Sequence, residues 1–298
     1  MEAYKLMLIF NLKGENIMRI FVTGATGYLG SAVVEELIQS GHEVIGLTRS
    51  KEGAKKLEMV GAKALVGNLE DTECLCKGAS ISDGVIHLAF RHDFTDFAGS
   101  LAIDLNAINA IGEILKDTGK SFVTTAHANG NTSDKATLDL ADVGVRSAVI
   151  SLAPSVHGVG DSHGFIPRLI SIARSKGVSA YVEEGINRWP AIHRLDAANL
   201  YRLAIEKAPA GSYLTGRDEE GIPFRDIASI IGKYLNMPVV SISREEANAH
   251  FGFLGLLATL DIPSVIPGNA IQTKEILGWS PKHPGLIADM ELGHYFNK

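Results

Sequence analysis

The sequence predicts an α/β protein built on a doubly wound parallel sheet. Short apolar runs alternate with amphipathic helical stripes along most of the chain. The first run leads directly into a turn that contains Gly24, Gly27 and Gly30. A helix begins at this turn and ends at Gly41, a residue type that commonly stops helices. Strands that alternate with helices in this way favour parallel pairing, with helices on both faces of the sheet.

Each later element is predicted from its own apolar pattern. Continuous apolar runs predict further strands at 44–47, 62–66, 84–89, 121–125 and 148–152. Apolar residues at helical spacing predict helices at 51–59, 97–115, 133–143, 166–175, 197–206 and 224–235. We expect Thr132 or Ser133 to be the N-cap of the helix at 133–143 and Gly144 to follow its end. The apolar stripe of the helix at 97–115 comprises Leu101, Leu105, Ile108, Ile111 and Leu115.

Composition and charge exclude several classes of protein. The chain of 298 residues is long enough for one large domain or two modest ones. A net charge of −6 without a basic cluster argues against a nucleic-acid partner. No apolar stretch approaches the ~20 residues that span a bilayer, and Cys74 and Cys76 lack partners at metal-ligand spacing. We therefore expect a cytoplasmic monomer or homodimer with reduced thiols, which acts on a small molecule rather than on nucleic acid or a membrane.

The glycine-rich turn is suited to bind a pyrophosphate. Gly24 allows the tight turn, Gly27 lets the backbone approach the phosphates, and Gly30 lets the helix pack closely on the strand. The first helical turn directs backbone N–H groups and the positive end of the helix dipole at one point. With a strand before it and a helix after it, the motif predicts a dinucleotide site rather than an ordinary glycine turn.

The spacing of this motif is typical of one superfamily. The run Thr23-Gly24-Ala25-Thr26-Gly27-Tyr28-Leu29-Gly30 resembles the short-chain dehydrogenase/reductases, in particular their extended, epimerase/dehydratase-like branch. The resemblance extends from Met18 to about Pro284. It implies a Rossmann-type NAD(P)-binding domain over residues 18–160 and a smaller, interleaved mixed α/β substrate lobe over residues 161–298. We expect residues 1–17, which precede the first strand, to be a disordered extension.

The residues after the second strand indicate which dinucleotide is bound. Folds of this kind that use NAD have an acidic residue there, which holds the ribose 2′-hydroxyl. This chain has Arg49, Ser50 and Lys51 instead. A guanidinium with a hydroxyl and an ammonium beside it suits the 2′-phosphate of NADP, although cations are also common in solvated loops after strands. We therefore predict NADP as the cofactor in preference to NAD.

The resemblance places further residues at the cofactor. These positions are Thr26, Tyr28, Leu29, Asn68, Leu69, Leu88, Ala89 and Pro154. Asn68 stands where the family usually has an aspartate for the adenine amino group, and its side-chain oxygen can accept the same hydrogen bond. Pro154 belongs to the loop after the sixth strand, which faces the nicotinamide in the family.

The chain departs from the family at the catalytic residues. Members usually carry a Tyr-x-x-x-Lys pair on the helix after the fifth strand, where the lysine lowers the pKa of the tyrosine for proton exchange with the substrate. This chain has no tyrosine between Tyr28 and Tyr181. Thr125 is the hydroxyl nearest the end of the fifth strand, where the family has a serine or threonine. The sequence is therefore similar to atypical members that keep only the nucleotide site.

Histidines that follow three of the strands are candidate proton donors. His92 follows the fourth strand, His127 the fifth and His157 the sixth. Ligands bind at the carboxyl ends of strands in open α/β sheets, and imidazole titrates near neutral pH. Asp93 can fix the tautomer of His92, whereas a structural or exposed position is the alternative for each histidine. His87, inside the fourth strand, is expected to be a core residue.

Three functions fit these features. The first is an NADP(H)-dependent oxidoreductase of atypical type that acts on a small carbonyl-type substrate. The second is a nucleotide-sugar epimerase or dehydratase, although those reactions normally need the missing tyrosine and lysine. The third is a non-catalytic NADP-binding redox sensor. The sequence favours the first and predicts no metal site.

Overall fold

The computed structural model of the protein describes residues 17–93, 95–127, 132–266 and 268–297. Its central sheet comprises β1 (Arg19–Thr23), β2 (Glu43–Thr48), β3 (Lys63–Val66), β4 (Gly84–His87), β5 (Ser121–Thr125), β6 (Arg146–Leu152) and β10 (Ser212–Gly216). Within the described residues these strands lie in the order β10-β6-β5-β4-β1-β2-β3, and β1 to β6 pair in parallel. The strand order reverses between β1 and β4, which is where open sheets of this kind bind ligands. The predicted α/β fold with a Rossmann-type parallel sheet is confirmed.

Helices connect the parallel strands. They are α1 (Tyr28–Gln39), α2 (Lys51–Met59), α3 (Thr72–Ser80), α4 (Phe97–Leu115), α5 (Thr132–Asp139) and, before β10, α7 (Arg194–Lys207). Phe21, Val85 and Phe122 from the sheet pack with apolar residues of α3 and α4 in one buried cluster. Strands β1, β4 and β5 are therefore held by the helix layer as well as by their pairing in the sheet.

By its internal contacts the chain divides into two compact units. The first comprises the described residues up to Ser151, together with Ala198–Leu214 and Ile276–Trp279. The second comprises Leu152–Ala197, Thr215–Glu275 and the described residues from Ser280 onward. The second unit thus begins before the domain boundary expected at residue 160, and each unit is assembled from separate stretches of the chain.

The second unit has its own small sheets and its own core. Its strands are β7 (Ser155–His157), β8 (Ser179–Val182), β9 (Arg188–His193), β11 (Glu219–Pro223) and β12 (Val239–Ile242). Its further helices are α6 (Phe165–Lys176), α8 (Phe224–Leu235), α9 (Ala247–Phe251), α10 (Gly255–Thr259), α11 (Ile262–Val265), α12 (Ile271–Leu277) and α13 (Leu286–Glu291). Strand β9 pairs with β7 and β11, and β8 pairs with β12. Trp189 is fully buried here between the rings of Phe165 and Phe224.

Two predicted helices differ from expectation in informative ways. In α4 the predicted leucines Leu101 and Leu105 are half-buried, whereas Asp104 is fully buried. The predicted helix at 133–143 is an α-helix only to Asp139, and a 3-10 turn at Leu140–Val143 precedes Gly144, which is left-handed with φ 76°. Thr132 and Ser133 are helical residues rather than N-caps, and the residues before them lie outside the described part of the chain.

Two further expectations from the sequence concern the N-terminal extension and membrane-spanning segments. Residues 1–16 of the predicted extension lie outside the described part. Within the described residues, no helix combines the length and the apolar character that crossing a bilayer requires.

Candidate cofactor and active site

The loop between β1 and α1 has the tight geometry that its glycines predict. Gly24 is left-handed with φ 67°, and a Cβ there would lie 2.8 Å from the backbone nitrogen of Ala89 in the neighbouring chain segment. A Cβ at Gly30 would overlap the carbonyl of Gly24. These two glycines are therefore required by the packing of the protein itself.

Gly27 has a different reason to be glycine. Its φ of −75° suits any residue, and a Cβ there would meet only the Gly24 oxygen, at 3.2 Å. It is also the N-cap of α1, yet no side chain caps this helix. The first-turn N–H groups of a helix need an acceptor, and an anion supplies one. The loop fits the pyrophosphate of a dinucleotide, which needs the open space that a side chain at Gly27 would fill.

A cavity of about 760 Å³ opens over this loop. Its volume suits a large organic ligand. Most of the predicted cofactor positions line it: Gly24, Thr26, Gly27, Tyr28, Leu29, Gly30, Arg49, Asn68, Leu69, Leu88 and Ala89. His92 and Thr125 line it as well. The structure thus brings the predicted nucleotide positions together with two of the predicted catalytic ones.

Arg49 and Ser50 differ in their local contacts. The Arg49 side chain is exposed at the end of β2 and forms no ion pair within the described residues. Ser50 is the N-cap of α2, where its Oγ accepts a hydrogen bond from the Gly53 N–H at 3.0 Å. The hydroxyl hydrogen of Ser50 is still able to donate to an anion. Arg49 is therefore the residue whose charge is available to a ligand.

The side-chain oxygen of Asn68, which was predicted to accept a hydrogen bond from the adenine amino group, is used within the protein. Its Oδ1 accepts hydrogen bonds from the backbone N–H groups of Glu70 and Asp71, at 2.8 and 3.2 Å. Two bonds occupy both lone pairs of the oxygen, so the amide N–H groups remain for a ligand. In a contact with adenine, an Asn68 N–H group would therefore donate to a ring nitrogen. The Asn68 oxygen would not accept from the adenine amino group.

Two predicted residues belong to the second unit and do not line the cavity. His157 lies in β7 with 1 % of its side chain exposed, and its Nδ1 is 2.9 Å from Asp289 Oδ2. This burial favours a structural role for His157, which the sequence left open as the alternative to a catalytic one. Pro154 lies between the end of β6 and the start of β7, so the strand does end there as expected.

A buried carboxylate joins two histidines at the ends of β4 and β5. Asp104 of α4 has its Oδ1 3.2 Å from His87 Nε2 and its Oδ2 3.1 Å from His127 Nε2. The second contact is within ion-pair distance but is not aligned as a hydrogen bond. Burial alone would raise the pKa of Asp104, but the contacts with His127 and His87 outweigh it and hold the pKa well below its usual range. Asp104 is therefore an anion at neutral pH.

The hydrogen bonds around Thr23 determine the tautomer of His87. Thr23 Oγ1 accepts from the N–H groups of Leu88 and Ala89, both at 3.2 Å. Its own hydrogen is then donated to His87 Nδ1, at 2.9 Å. His87 must carry its proton on Nε2, where it donates to Asp104. His87 is thus the core histidine that was expected, and it also orients the carboxylate.

Phe90 lines the cavity beside His92 and packs against His127, which does not itself line the cavity. Its ring centroid is 4.3 Å from that of His127 and 5.3 Å from that of His92. Asp93, expected to fix the His92 tautomer, directs its Oδ1 to the N–H and hydroxyl of Thr95, at 3.0 and 2.6 Å. His127 has a carboxylate partner in Asp104.

Two residues of this site were not anticipated from the sequence. Asp104 interrupts the apolar face of α4 one turn before Ile108, and a carboxylate in such a stripe is the signal that could have revealed it. Tyr201 has its Oη 2.6 Å from Thr125 Oγ1, although the two residues are 76 positions apart. No local pattern around Tyr201 could have predicted this contact.

Comparisons with known proteins agree with this geometry. The NAD dependent epimerase/dehydratase family matches residues 20–115. An uncharacterized protein of Schizosaccharomyces pombe is 45% identical over 94% of this chain and 100% of its own length. An uncharacterized protein of Saccharomyces cerevisiae is 43% identical over the same shares.

A solved structure of similar fold contains a dinucleotide. The Bordetella bronchiseptica enzyme WbmG, in complex with NAD and UDP, superposes with a TM-score of 0.71 at 17% identity and covers 96% of both chains. This likeness concerns the fold, whereas the family match and the glycine loop concern the site. The chain belongs to the NAD dependent epimerase/dehydratase family.

Proposed function

We propose that the protein is an NADP(H)-dependent oxidoreductase that reduces a small carbonyl compound. The observation that carries this proposal is one cavity that combines the glycine loop, the exposed Arg49 guanidinium and the residues His92 and Thr125. The loop would hold the pyrophosphate and Arg49 the 2′-phosphate. The two free cysteines, Cys74 and Cys76, favour a cytoplasmic location.

Asp104 supports His127 as the proton donor in place of the missing tyrosine. The bound nicotinamide supplies a hydride, and the carbonyl oxygen then needs a proton. Ionised Asp104 fixes the orientation of the His127 ring, and Phe90 packs on the imidazole. His127 Nδ1 is then the nitrogen able to release a proton toward the substrate.

Cofactor binding tests the first half of the proposal. Calorimetric titration should give NADPH at least about tenfold tighter binding than NADH, because a charge-assisted contact to the phosphate contributes about 1.5–3 kcal/mol. Arg49→Asp should reverse this order. Lys56→Asp makes the same charge change on the exposed side of α2 and should leave the preference unchanged. Equal affinity of the unmodified protein for both cofactors would show that Arg49, Ser50 and Lys51 form a solvated loop that does not contact the 2′-phosphate.

A second variant tests the loop itself. Gly27→Val should abolish binding of both cofactors, because a branched side chain would occupy the pyrophosphate position while the backbone at φ −75° accepts it. Thermal unfolding should show that the variant is folded. NADPH binding retained by the folded variant would overturn the assignment of the cavity.

Measurement of turnover tests the second half of the proposal, the reduction of a carbonyl compound with a proton from His127. NADPH oxidation with a panel of aldehydes and ketones should fall about 100-fold in His127→Gln, the usual size of a lost general acid. His157→Gln, in the second unit, is the matched control and should retain activity per folded molecule, and His92→Gln tests the other candidate. If all three variants keep full activity, the proton comes from another source. If no carbonyl is reduced while NADPH binds tightly, the redox-sensor function replaces the enzyme.

A nucleotide-sugar epimerase or dehydratase is the second candidate. It is favoured by the family, and by the presence of UDP beside NAD in the WbmG structure. Calorimetry with UDP-glucose in the presence of either cofactor distinguishes the two candidates. Specific binding of the sugar nucleotide would favour the epimerase.

A further inference from the structure

A hydrogen bond between two hydroxyl groups lies behind the wall of the cavity. Thr125 is the last residue of β5 and lines the cavity, whereas Tyr201 of α7 is fully buried. Their Oγ1 and Oη atoms are 2.6 Å apart. Within the described part of the chain, this is the hydrogen bond that both hydroxyls make.

Burial determines which hydroxyl donates. It raises the pKa of Tyr201, so the phenol keeps its proton at neutral pH. A buried O–H group without an acceptor is unfavourable, and Thr125 Oγ1 is the acceptor within reach. Tyr201 therefore donates to Thr125. The hydroxyl hydrogen of Thr125 is left for an acceptor on the cavity side.

This arrangement restricts the Thr125 hydroxyl more than its strand position alone would. Threonine is β-branched and has few χ1 rotamers, and the bond from Tyr201 selects the one that places Oγ1 against the phenol. A hydroxyl that accepts one hydrogen bond also donates the next more strongly. The result is an oriented donor at the edge of the cavity, held by a residue from a distant part of the chain.

We propose that Tyr201 is a positioning residue that directs the Thr125 hydroxyl at the carbonyl oxygen of an aldehyde or ketone substrate. This proposal rests on the proposed function and specifies how its substrate is held. Hydride arrives at the carbonyl carbon with its electron pair, the π electrons move to oxygen, and the proton on His127 neutralises the alkoxide. Thr125 remains neutral throughout and stabilises the negative charge that develops on that oxygen.

A chromophoric aldehyde tests the donor without any turnover. The absorption of para-dimethylaminocinnamaldehyde moves to longer wavelength when its carbonyl is polarised, and NADP⁺ supplies no hydride to reduce it. The unmodified protein with NADP⁺ and the Thr125→Ser variant should both produce this shift. Tyr201→Phe should reduce it, and Thr125→Val should abolish it.

Thr137→Val is the matched control. Thr137 makes a buried hydroxyl contact with Thr124, at 3.3 Å, and does not line the cavity. This variant should produce the full shift. Equal shifts in the unmodified protein, Tyr201→Phe and Thr125→Val would overturn the proposal.

Kinetics with NADPH and the same aldehyde separate positioning from a general structural effect. Tyr201→Phe should lower kcat about tenfold and Thr125→Val about 100-fold, with KM changed less than about threefold. The double variant should be no slower than Thr125→Val, because Tyr201 acts through Thr125. Multiplicative losses in the double variant would overturn the positioning role.

The failure of the proposed function has a different signature. If neither NADP⁺ nor NADPH binds, the oxidoreductase proposal fails, and with it this inference. If NADP⁺ binds and the unmodified protein produces no shift, the donor role of Thr125 fails while cofactor binding stands.

Discussion

Each of the two units contains a buried aspartate that contacts histidine, and the two clusters differ in access. In the first unit Asp104 contacts His87 and His127, and 14 % of the His127 side chain is exposed beside the cavity wall. In the second unit Asp289 contacts His157, and both side chains are almost completely buried. Burial and a charged partner are thus common to both clusters. In the first, the imidazole of His127 packs on Phe90, a residue that lines the ligand-sized cavity.

The surroundings of the second cluster explain its difference. The His157 ring packs edge-on against His193 at 5.3 Å, and His193 stacks on His283 at 4.7 Å. Asp196, which lies nearby, accepts hydrogen bonds from the backbone of Lys282 and His283. These contacts tie together distant stretches of the second unit. A histidine–aspartate pair therefore indicates a catalytic site only when one ring nitrogen has a path to a ligand.

The largest expected effect comes from removing the charge of each aspartate in turn. Asp104→Asn should lower kcat for NADPH-dependent aldehyde reduction about 100-fold, because His127 loses the carboxylate that orients its ring. Its NADPH affinity, measured by calorimetry, should change less than about threefold. Asp289→Asn should leave kcat per folded molecule within about threefold and lower the free energy of unfolding by about 1–3 kcal/mol. The opposite pattern would assign the chemistry to the second cluster.

A smaller effect concerns the stability of the second unit in acid. Burial, with the nearby His157 and His283, lowers the pKa of His193 from 6.5 to about 4. Between these values the unfolded chain binds a proton that the folded chain does not, so the free energy of unfolding should fall as the pH drops through this window. The acids Asp289 and Asp196 face the same ring and oppose the shift. The loss should be at most about 3 kcal/mol.

Urea unfolding at a series of pH values measures this loss. His193→Asn should flatten the acid slope, whereas His163→Gln, at an exposed position, should leave it unchanged. A slope that His193→Asn does not alter would show that other groups of the second cluster bind the proton.

The smallest expected effect is at the N-terminus. A chain that begins at Met18 should keep the melting temperature and NADPH affinity of the full chain, because the cavity and the Asp104 cluster consist of later residues. The Met18 nitrogen still reaches His42 Nδ1, at 3.2 Å, in the shortened chain. A large loss of either property would mean that residues 1–17 pack against the first unit.

The nucleotide half of the site could be predicted because its residues are close together in sequence. Gly24, Gly27 and Gly30 act through backbone geometry within one turn, and Arg49 follows the next strand directly. Asn68 lines the cavity, but its own turn uses the side-chain oxygen that the predicted contact with adenine needs. Whether NADP is preferred stays a prediction.

The catalytic half could be predicted only as a set of alternatives. His92, His127 and His157 look equivalent in sequence because each follows a strand. The structure buries His157, places His92 at the cavity and gives His127 the Asp104 contact. Burial and partners depend on how helices pack on the sheet, which a single-chain pattern does not contain.

The sequence by itself determined the parallel α/β fold, the glycine loop and the edge of the sheet at which the cavity opens. These follow from short-range rules of apolar periodicity, helix ends and backbone conformation. Only the tertiary structure decided the Asp104 bridge, the Tyr201–Thr125 hydrogen bond and the burial of His157. Each of these joins residues that are distant along the chain. These polar contacts are strong because water is excluded around the paired groups. Only the packing of helices against the sheet excludes that water.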